Sequence, residues 1–403
     1  MRHWTPRLRI ENTKDQWLMR WNRIKRRSVF RWWVIGLLGG FLFIIFQKGF
    51  AAEGTIHVTI SRHGTLTFTT ISGYTNYTVE WAPTPNGPWH QSWECLKKIH
   101  STGPEMTVQI PMFFRVVAVR PPVKPPVGMV YVPEGSFLMG DERGIELDAL
   151  PVHRVTVQGF FMDRFEVTKA LWDEVRNWAL LHGYEIAEGS APATNHPVSE
   201  ITWYDAVKWC NARSEKEGLK PVYYTDESHQ TVYRTGWIDL KNEDVDWEAE
   251  GYRLPTEAEW ERAVRGGQEG NHFPWPSPGD DWRTQIQEDQ ANFWNSGDPF
   301  DNGTTPVGFY NGHQSVHGKD MANEYGLYDM AGNVLEMCWD RFGSYPEQHV
   351  ENPKGPDQGL FRVERGGSWY DNPDKLRCAS RRAFAPGSRG PQRGFRCVRS
   401  VTR

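Results

Sequence analysis

Two stretches of this chain concentrate groups that can do chemistry. In the first, Asp329-x-x-Gly332-x-Val334-x-Glu336 offers two carboxylates with backbone carbonyls between them. All are hard oxygen donors, the kind that calcium takes. The spacing alone is not specific, because Asp and Asn in loops commonly turn back onto their own backbone. In the second stretch, Arg377, Arg381, Arg382, Arg389 and Arg393 crowd a tract that also holds Trp369 and Tyr370. Arg is the usual choice for a paired buried charge, so ion pairs with an acidic body are one reading. The other is a candidate ligand pocket at Arg377, Arg381 and Arg382, since guanidinium forks beside aromatic faces suit carboxylate, sulfate or sugar. His153 and His196 stand alone and read as structural hydrogen-bonders rather than metal ligands.

The five cysteines are Cys95, Cys210, Cys338, Cys378 and Cys397. None forms a C-x-x-C pair, which argues against a zinc ribbon or a thioredoxin-like motif. In an oxidising compartment some should pair, and an odd count leaves at least one over. A Cys338–Cys378 bridge and two buried thiols both remain open.

These groups need a scaffold, and the composition limits it. The 403 residues exceed one ordinary core, so two or more domains are expected. With 20 Trp, 14 Tyr and 20 Phe the chain is too aromatic to be disordered, and 24% charged residues exclude a polytopic membrane protein. Thirty-eight Gly and 27 Pro favour loops over long helices. Residues 1–31 carry ten Lys/Arg and two Asp/Glu, hence +8; against a chain total of −4, the rest carries −12. An acidic body argues against nucleic-acid binding.

Residues 1–52 read as a basic n-region followed by a signal peptide or signal anchor. Val34 to Phe46 is uncharged and apolar, Arg23, Lys25, Arg26, Arg27 and Arg31 precede it, and Gly49-Phe50-Ala51-Ala52 has the small-x-small form of a cleavage site. The run is shorter than the roughly 20 residues of a comfortable membrane span. The alternative is an uncleaved anchor with Trp32 and Trp33 at the interface. Either way the body is expected to be exported: secreted, periplasmic or anchored outside the cytoplasm. The membrane is met only through this segment, if it stays uncleaved.

Residues 54–118 alternate apolar and polar, as in Thr55–Ile60, Thr65–Phe68, Tyr77–Trp81, Thr107–Ile110 and Phe113–Val117. Short strands at close spacing predict a small, fibronectin-like β-sandwich. Pro121-Pro122-Val123-Lys124-Pro125-Pro126 makes residues 119–126 a stiff linker. Residues 127–403 form the second unit. Strands are expected at Met129–Pro133 and His153–Val157. Thr168 should cap a helix that turns Leu171, Trp172, Val175 and Trp178 inward. Thr202-x-x-Asp205 opens a second helix. The capping box Thr256-x-x-Glu259 starts a third, with Trp260 and Val264 inward and Gly266-Gly267 as the stop. Beyond Gly267 the chain is polar and rich in Gly, Asn and Trp, and loops are expected there.

The motifs of the second unit resemble one family. They include Met129-x-Tyr131-x-Pro133-x-Gly135-x-Phe137-x-Met139-Gly140, Glu166-Val167-Thr168, His196-Pro197-Val198 and Arg253-Leu254-Pro255-Thr256-Glu257-Ala258-Glu259-Trp260-Glu261. They continue through Tyr325-Gly326-Leu327-Tyr328-Asp329-Met330-x-Gly332-Asn333-Val334-x-Glu336, Arg365-Gly366-Gly367-Ser368-Trp369 and Gly394-Phe395-Arg396. In order and in content they resemble the formylglycine-generating enzyme, or sulfatase-modifying factor, domain. The resemblance implies an α+β, C-type-lectin-like, loop-rich fold, preceded here by the β-sandwich.

It also implies functional residues. Calcium would be held by the Asp329 and Glu336 side chains with the Gly332 and Val334 carbonyls. A second ion would sit on Asn292, the Phe293 carbonyl, Asp298 and the Phe300 carbonyl. Cys210 and Cys397 match positions that pair as a disulfide. The family's active-site cysteines follow the Arg-Gly-Gly-Ser motif, so the active segment maps to Ser368, Trp369 and Asp371. Asp371 stands in the first cysteine's place, and no cysteine follows until Cys378. Copper(I) selects soft thiolates, which a carboxylate does not replace, so copper is not expected. The functional expectation is a calcium-stabilised recognition module for a protein, peptide or glycan. The alternative is an oxidoreductase that converts a substrate cysteine to formylglycine, or a related reaction.

Overall fold

The computed structural model describes residues 124–141, 146–276, 286–300, 302–315 and 318–401, and before them the backbone of short strands. The chain divides into two compact units, Met1–Val123 and Lys124–Arg403.

The described strands of the first unit are β1 (Arg9–Thr13), β2 (Gln16–Arg20), β3 (Phe30–Trp32), β4 (Val34–Ile35), β5 (Phe46–Lys48), β6 (Val58–Ile60), β7 (Leu66–Phe68), β8 (Asn76–Ala82) and β9 (Phe113–Val119). They pair antiparallel as β1-β2, β3-β5, β6-β7 and β4-β9-β8. Val34 and Ile35, at the head of the apolar run, pair with Phe114 and Phe113. The interior of that run, the 49–52 cleavage pattern and the expected Thr107–Ile110 strand lie outside the described residues. No helix among the described residues is long and apolar enough to cross a membrane.

The second unit is a mixed α+β structure, rich in sheet. Its strands are β10 (Met129–Val132), β11 (Gly135–Met139), β12 (His153–Val157), β13 (Phe160–Asp163), β14 (Tyr252–Arg253), β15 (Leu335–Arg341), β16 (Val350–Glu351), β17 (Arg362–Arg365), β18 (Arg381–Phe384), β19 (Arg393–Gly394) and β20 (Val398–Ser400). They build three small sheets, ordered β10-β13-β20-β14, β11-β12-β16 and β18-β17-β15-β19. β11 and β12 bury alternate residues, as expected where one face meets the core. β13, β15 and β17 are buried throughout, so both of their faces are covered.

Three helices cover the sheets: α1 (Lys169–Leu181), α2 (Trp203–Lys216) and α3 (Glu257–Val264). Each starts where its cap predicts. The Thr168 hydroxyl accepts from the Leu171 amide at 3.2 Å. Thr202 with Asp205, and Thr256 with Glu259, form reciprocal capping boxes. α3 turns Trp260 and Val264 fully into the core, beside Phe137, Val155, Met162 and Val363. α1 departs from its expected face: Trp172, Val175 and Ala179 are buried, while Leu171 and Trp178 are only half-buried. Trp178 stacks instead on His182, 3.7 Å between ring centroids, at the helix end. α1 and α2 meet through stacked Trp172 and Trp209, with Phe395 edge-on to both. Aromatic volume thus fills the space between short elements, and accounts for much of the unusual Trp content.

From Arg265 to Val334 the described residues form turns, bends and one isolated bridge, Asn311–Asp320. The loop-rich expectation is met there.

Candidate functional site

The segment that follows β17 is shaped by two glycines. Gly366 and Gly367 both take positive φ, 91° and 68°. A Cβ on Gly367 would lie 2.7 Å from Leu376 Cδ1 and 2.9 Å from the Lys375 carbonyl. Only glycine combines that conformation with that approach. The turn delivers Ser368, whose Oγ donates to Asp371 Oδ2 at 2.6 Å. Arg382 Nη2 donates to Asp371 Oδ1 at 3.0 Å. The Asp371 carbonyl accepts from the Trp294 amide, 2.9 Å, tying the segment to the loop region. Trp294 and Tyr370 meet edge-to-face at 5.5 Å and remain 42% and 61% exposed. Trp369 packs edge-on to Tyr370, also at 5.5 Å. The segment therefore presents an exposed aromatic pair beside an Asp–Arg pair. Its carboxylate is already committed to a hydroxyl and a guanidinium.

The sulfurs lie elsewhere. Cys378 is buried in the main core with Cys338. Burial pushes the Cys378 thiol up to about 12, and that of Cys338 well above its usual range. Both are free thiols, so the Cys338–Cys378 bridge is not formed. The expected Cys210–Cys397 disulfide is corrected as well. The two sulfurs face each other at 3.6 Å as buried thiols. That is non-bonded contact, against about 2.05 Å for a disulfide.

Two of the three candidate pocket arginines are spent inside the fold. Arg377 pairs with Asp141 at 3.0 Å and Glu146 at 2.6 Å. Arg381 meets both oxygens of Glu257, at 2.8 and 2.7 Å. Only Arg382 keeps a partly exposed side chain, 45% accessible. Arg393 is paired with Glu364. Arg389 lies 3.6 Å from Asp205. The acidic partners Glu257 and Glu261 both come from α3; Glu261 also holds Arg265 at 2.8 Å and Arg365 at 2.5 Å.

The oxygen-rich loops come together. The Asn292 carbonyl accepts from the Asn333 amide at 3.0 Å. A Cβ on Gly332 would fall 2.1 Å from that carbonyl oxygen, so the two expected cation sites adjoin where only glycine fits. Asp329 takes φ +55° and accepts from the Gly308 amide at 2.6 Å. Burial, with help from Glu336, raises its carboxyl to about 6. Glu336 is clasped by Arg396 and also accepts from Trp260 Nε1 at 2.9 Å. In the second set Asp298 Oδ1 accepts from the Phe300 amide at 2.7 Å, and Oδ2 from Ser296 Oγ at 2.6 Å and the Tyr310 hydroxyl at 3.0 Å. The Phe293 and Phe300 carbonyls accept from the Ser296 and Gly303 amides, both at 3.0 Å. This loop closes on itself as an Asx-turn. Among the described residues no three His, Cys, Asp or Glu side chains converge as a metal cluster.

Sequence reasoning missed two members of this region. Glu166 is buried, accepts from Asn333 Nδ2 at 2.7 Å and the Val334 amide at 3.2 Å, and is pushed well up by burial and by Asp329 and Glu336. Arg396 is the cation that opposes all three acids. Both stand inside motifs noted above, which was the available signal. His196 and His153 are hydrogen-bonded internally, to Thr304 Oγ1 at 2.9 Å and the Pro151 carbonyl at 3.2 Å. Burial lowers His196.

Comparison with known proteins places this geometry. The sulfatase-modifying factor enzyme 1-like domain matches residues 116–401. The chaperone protein LppX of Paenibacillus barcinonensis is 33% identical over 264 residues, covering 61% of this chain and 82% of that protein. The formylglycine-generating enzyme of Thermomonospora curvata is 30% identical over 319 residues, covering 72% of this chain and 99% of the enzyme. The serine/threonine-protein kinase pkn1 of Chlamydia caviae is 34% identical over 279 residues, but the match spans only 38% of that kinase. Among solved structures, Treponema denticola variable protein 1 aligns with a TM-score of 0.51 at 26% identity, over 67% of this chain and 94% of that one. The chain belongs to the sulfatase-modifying factor enzyme 1-like, or formylglycine-generating-enzyme, family.

Proposed function

We propose that this chain is an exported, calcium-stabilised recognition member of its family that does not oxidise cysteine to formylglycine. One observation carries the reading: Asp371 stands where the resemblance puts the first active-site cysteine, and its carboxylate is held by Ser368 and Arg382. The residues present do not fit copper(I), which needs thiolates. Cys378 is the nearest sulfur in sequence, and burial keeps it protonated far above neutral pH. The ligand surface in this reading is the exposed Trp294–Tyr370 pair with Arg382, which suits a peptide or a glycan.

Calcium fits the donor chemistry better. Asp329 with the Gly332 and Val334 carbonyls would hold one ion, and Asn292, Asp298 and the Phe293 and Phe300 carbonyls a second. Glu336 would share its carboxylate with Arg396. Bound calcium would supply positive charge where Glu166, Asp329 and Glu336 repel one another.

The relatives named formylglycine-generating enzyme favour a second reading, in which the same segment modifies a substrate cysteine. Incubating the full chain with copper, oxygen and a Cys-x-Pro-x-Arg peptide separates the two. An unchanged peptide mass is expected. A mass loss corresponding to formylglycine would overturn the recognition reading.

A further inference from the structure

A cavity near the surface lies away from the Ser368–Asp371 segment. It is about 410 Å³, within the range of small-molecule sites. The ends of β12 and β20, the turn after β16 and the loop before β14 enclose it. Trp247, Arg253, Glu259, Asn352 and Lys354 are among its lining residues.

The lining is fixed in place. Trp247 Nε1 donates to the Asn242 carbonyl at 3.2 Å, and the Trp247 carbonyl accepts from Ser400 Oγ at 3.2 Å. Its ring packs edge-on to buried Trp339. The turn that carries Lys354 is pinned at both ends. Asn352 donates its amide to the Thr156 carbonyl at 2.8 Å and accepts from the Gln158 amide at 2.7 Å. Gly355, φ +74°, packs so close to Asp340 that a Cβ would lie 2.7 Å from the Asp340 Cβ.

The charges in the cavity are unequal. Arg253 is matched by both oxygens of Glu259, at 2.6 and 2.7 Å. Among the described residues its buried Nε has no hydrogen-bond partner. Lys354 is half-buried and its Nζ sits 4.3 Å above the Trp247 ring centre. Among the described residues no carboxylate pairs with it. Burial and the neighbouring Arg253 both lower its pKa. Glu248 and Glu259 attract this ammonium only from beyond ion-pair reach, so held over an indole and next to a second cation it has room to take an anion directly.

We propose that this cavity is a second binding site, for a small carboxylate with a planar apolar body. The carboxylate would take the Lys354 ammonium, and the body would lie against the Trp247 face that Lys354 now covers. Glu259 neutralises Arg253, so Lys354 sets the selectivity for charge and Trp247 that for shape. The site is independent of whether the Ser368–Asp371 segment recognises or modifies its ligand.

The test titrates the full chain with benzoate and with acetate by calorimetry. Saturable benzoate binding is expected, with acetate several-fold weaker. Lys354→Gln should weaken benzoate about tenfold, the size of one charge-assisted hydrogen bond, and Lys354→Arg should retain it. Both variants change a partly exposed side chain, and matching thermal melts would confirm that they fold. Absence of saturation, or equal affinity in Lys354→Gln, overturns the site. Equal binding of acetate and benzoate overturns the part assigned to Trp247.

Discussion

Arg396 clasps Glu336 from across the last sheet. Its Nε reaches Oε2 at 2.8 Å and its Nη2 reaches Oε1 at 2.7 Å, and neither side chain is exposed beyond 1%. The same guanidinium donates to the Arg164 and Tyr328 carbonyls at 3.1 and 2.9 Å. Removing one partner of such a pair leaves a buried charge uncompensated. Arg396→Met should therefore cost about 3–5 kcal/mol. Denaturant midpoints check this, and a loss below 1 kcal/mol would contradict the buried pair.

Asp340 gives a pH dependence with a definite sign. Burial, with the charge of Glu257, raises its carboxyl to about 8. Its pKa in the unfolded chain is about 3.9. The folded state thus holds a proton that the unfolded chain has already lost. The stabilisation is complete below the unfolded value and is lost as pH rises through about 8. Asp340→Asn removes this titration and keeps an acceptor for the Glu257 amide. The stability difference, wild type minus variant, should fall from pH 5 to about 8 and level off above it. A constant difference would show that Asp340 titrates normally.

Calcium should stabilise the second unit. An ion that binds only the folded state contributes about 2.7 kcal/mol at a hundredfold excess over its Kd. EGTA is expected to lower the melting temperature, and Asp329→Ala to reproduce much of that loss and blunt the response to EGTA. Superimposable melts with calcium and chelator would remove calcium and leave the fold as described.

The four described thiols should be silent in the folded protein. All are buried, and burial raises Cys338, Cys378 and Cys397. Ellman's reagent is expected to label none of the four before denaturation and all of them after it. Resistance of Cys210 and Cys397 to labelling in denaturant, reversed by a reductant, would mean that they are bonded.

Local signals were legible in the sequence and distant ones were not. The starts of α2 and α3 are written within four residues, because Thr202 and Asp205, or Thr256 and Glu259, satisfy each other's amides. The face of α1 was harder. Trp178 fits the helical period, but the stripe it belongs to is wider than the surface α1 buries, and His182 offers it a partner outside the core. The fates of Arg377 and Arg381 depend on acids 231 and 124 residues away, so the sequence left both ion pair and ligand pocket open. The oxygen donors of residues 292–336 were legible as a group. Glu166 adjoins them but is distant in the chain, and its motif does not say that the fold brings it beside Asp329. The Cys210–Cys397 contact followed from the resemblance; the 3.6 Å separation did not.

The placement of β20 has a consequence for how the chain is made. Val398–Ser400 lies between β13 and β14, strands that leave the ribosome far earlier. Until it arrives, Phe160–Asp163 and Tyr252–Arg253 expose unsatisfied edges, and Glu336 waits without its arginine. Contacts closed over such separations form slowly. That sheet therefore keeps unpaired margins until Val398–Ser400 has been made. Such bare edges are templates for pairing with another chain, and holdase chaperones would find a client there for the same interval.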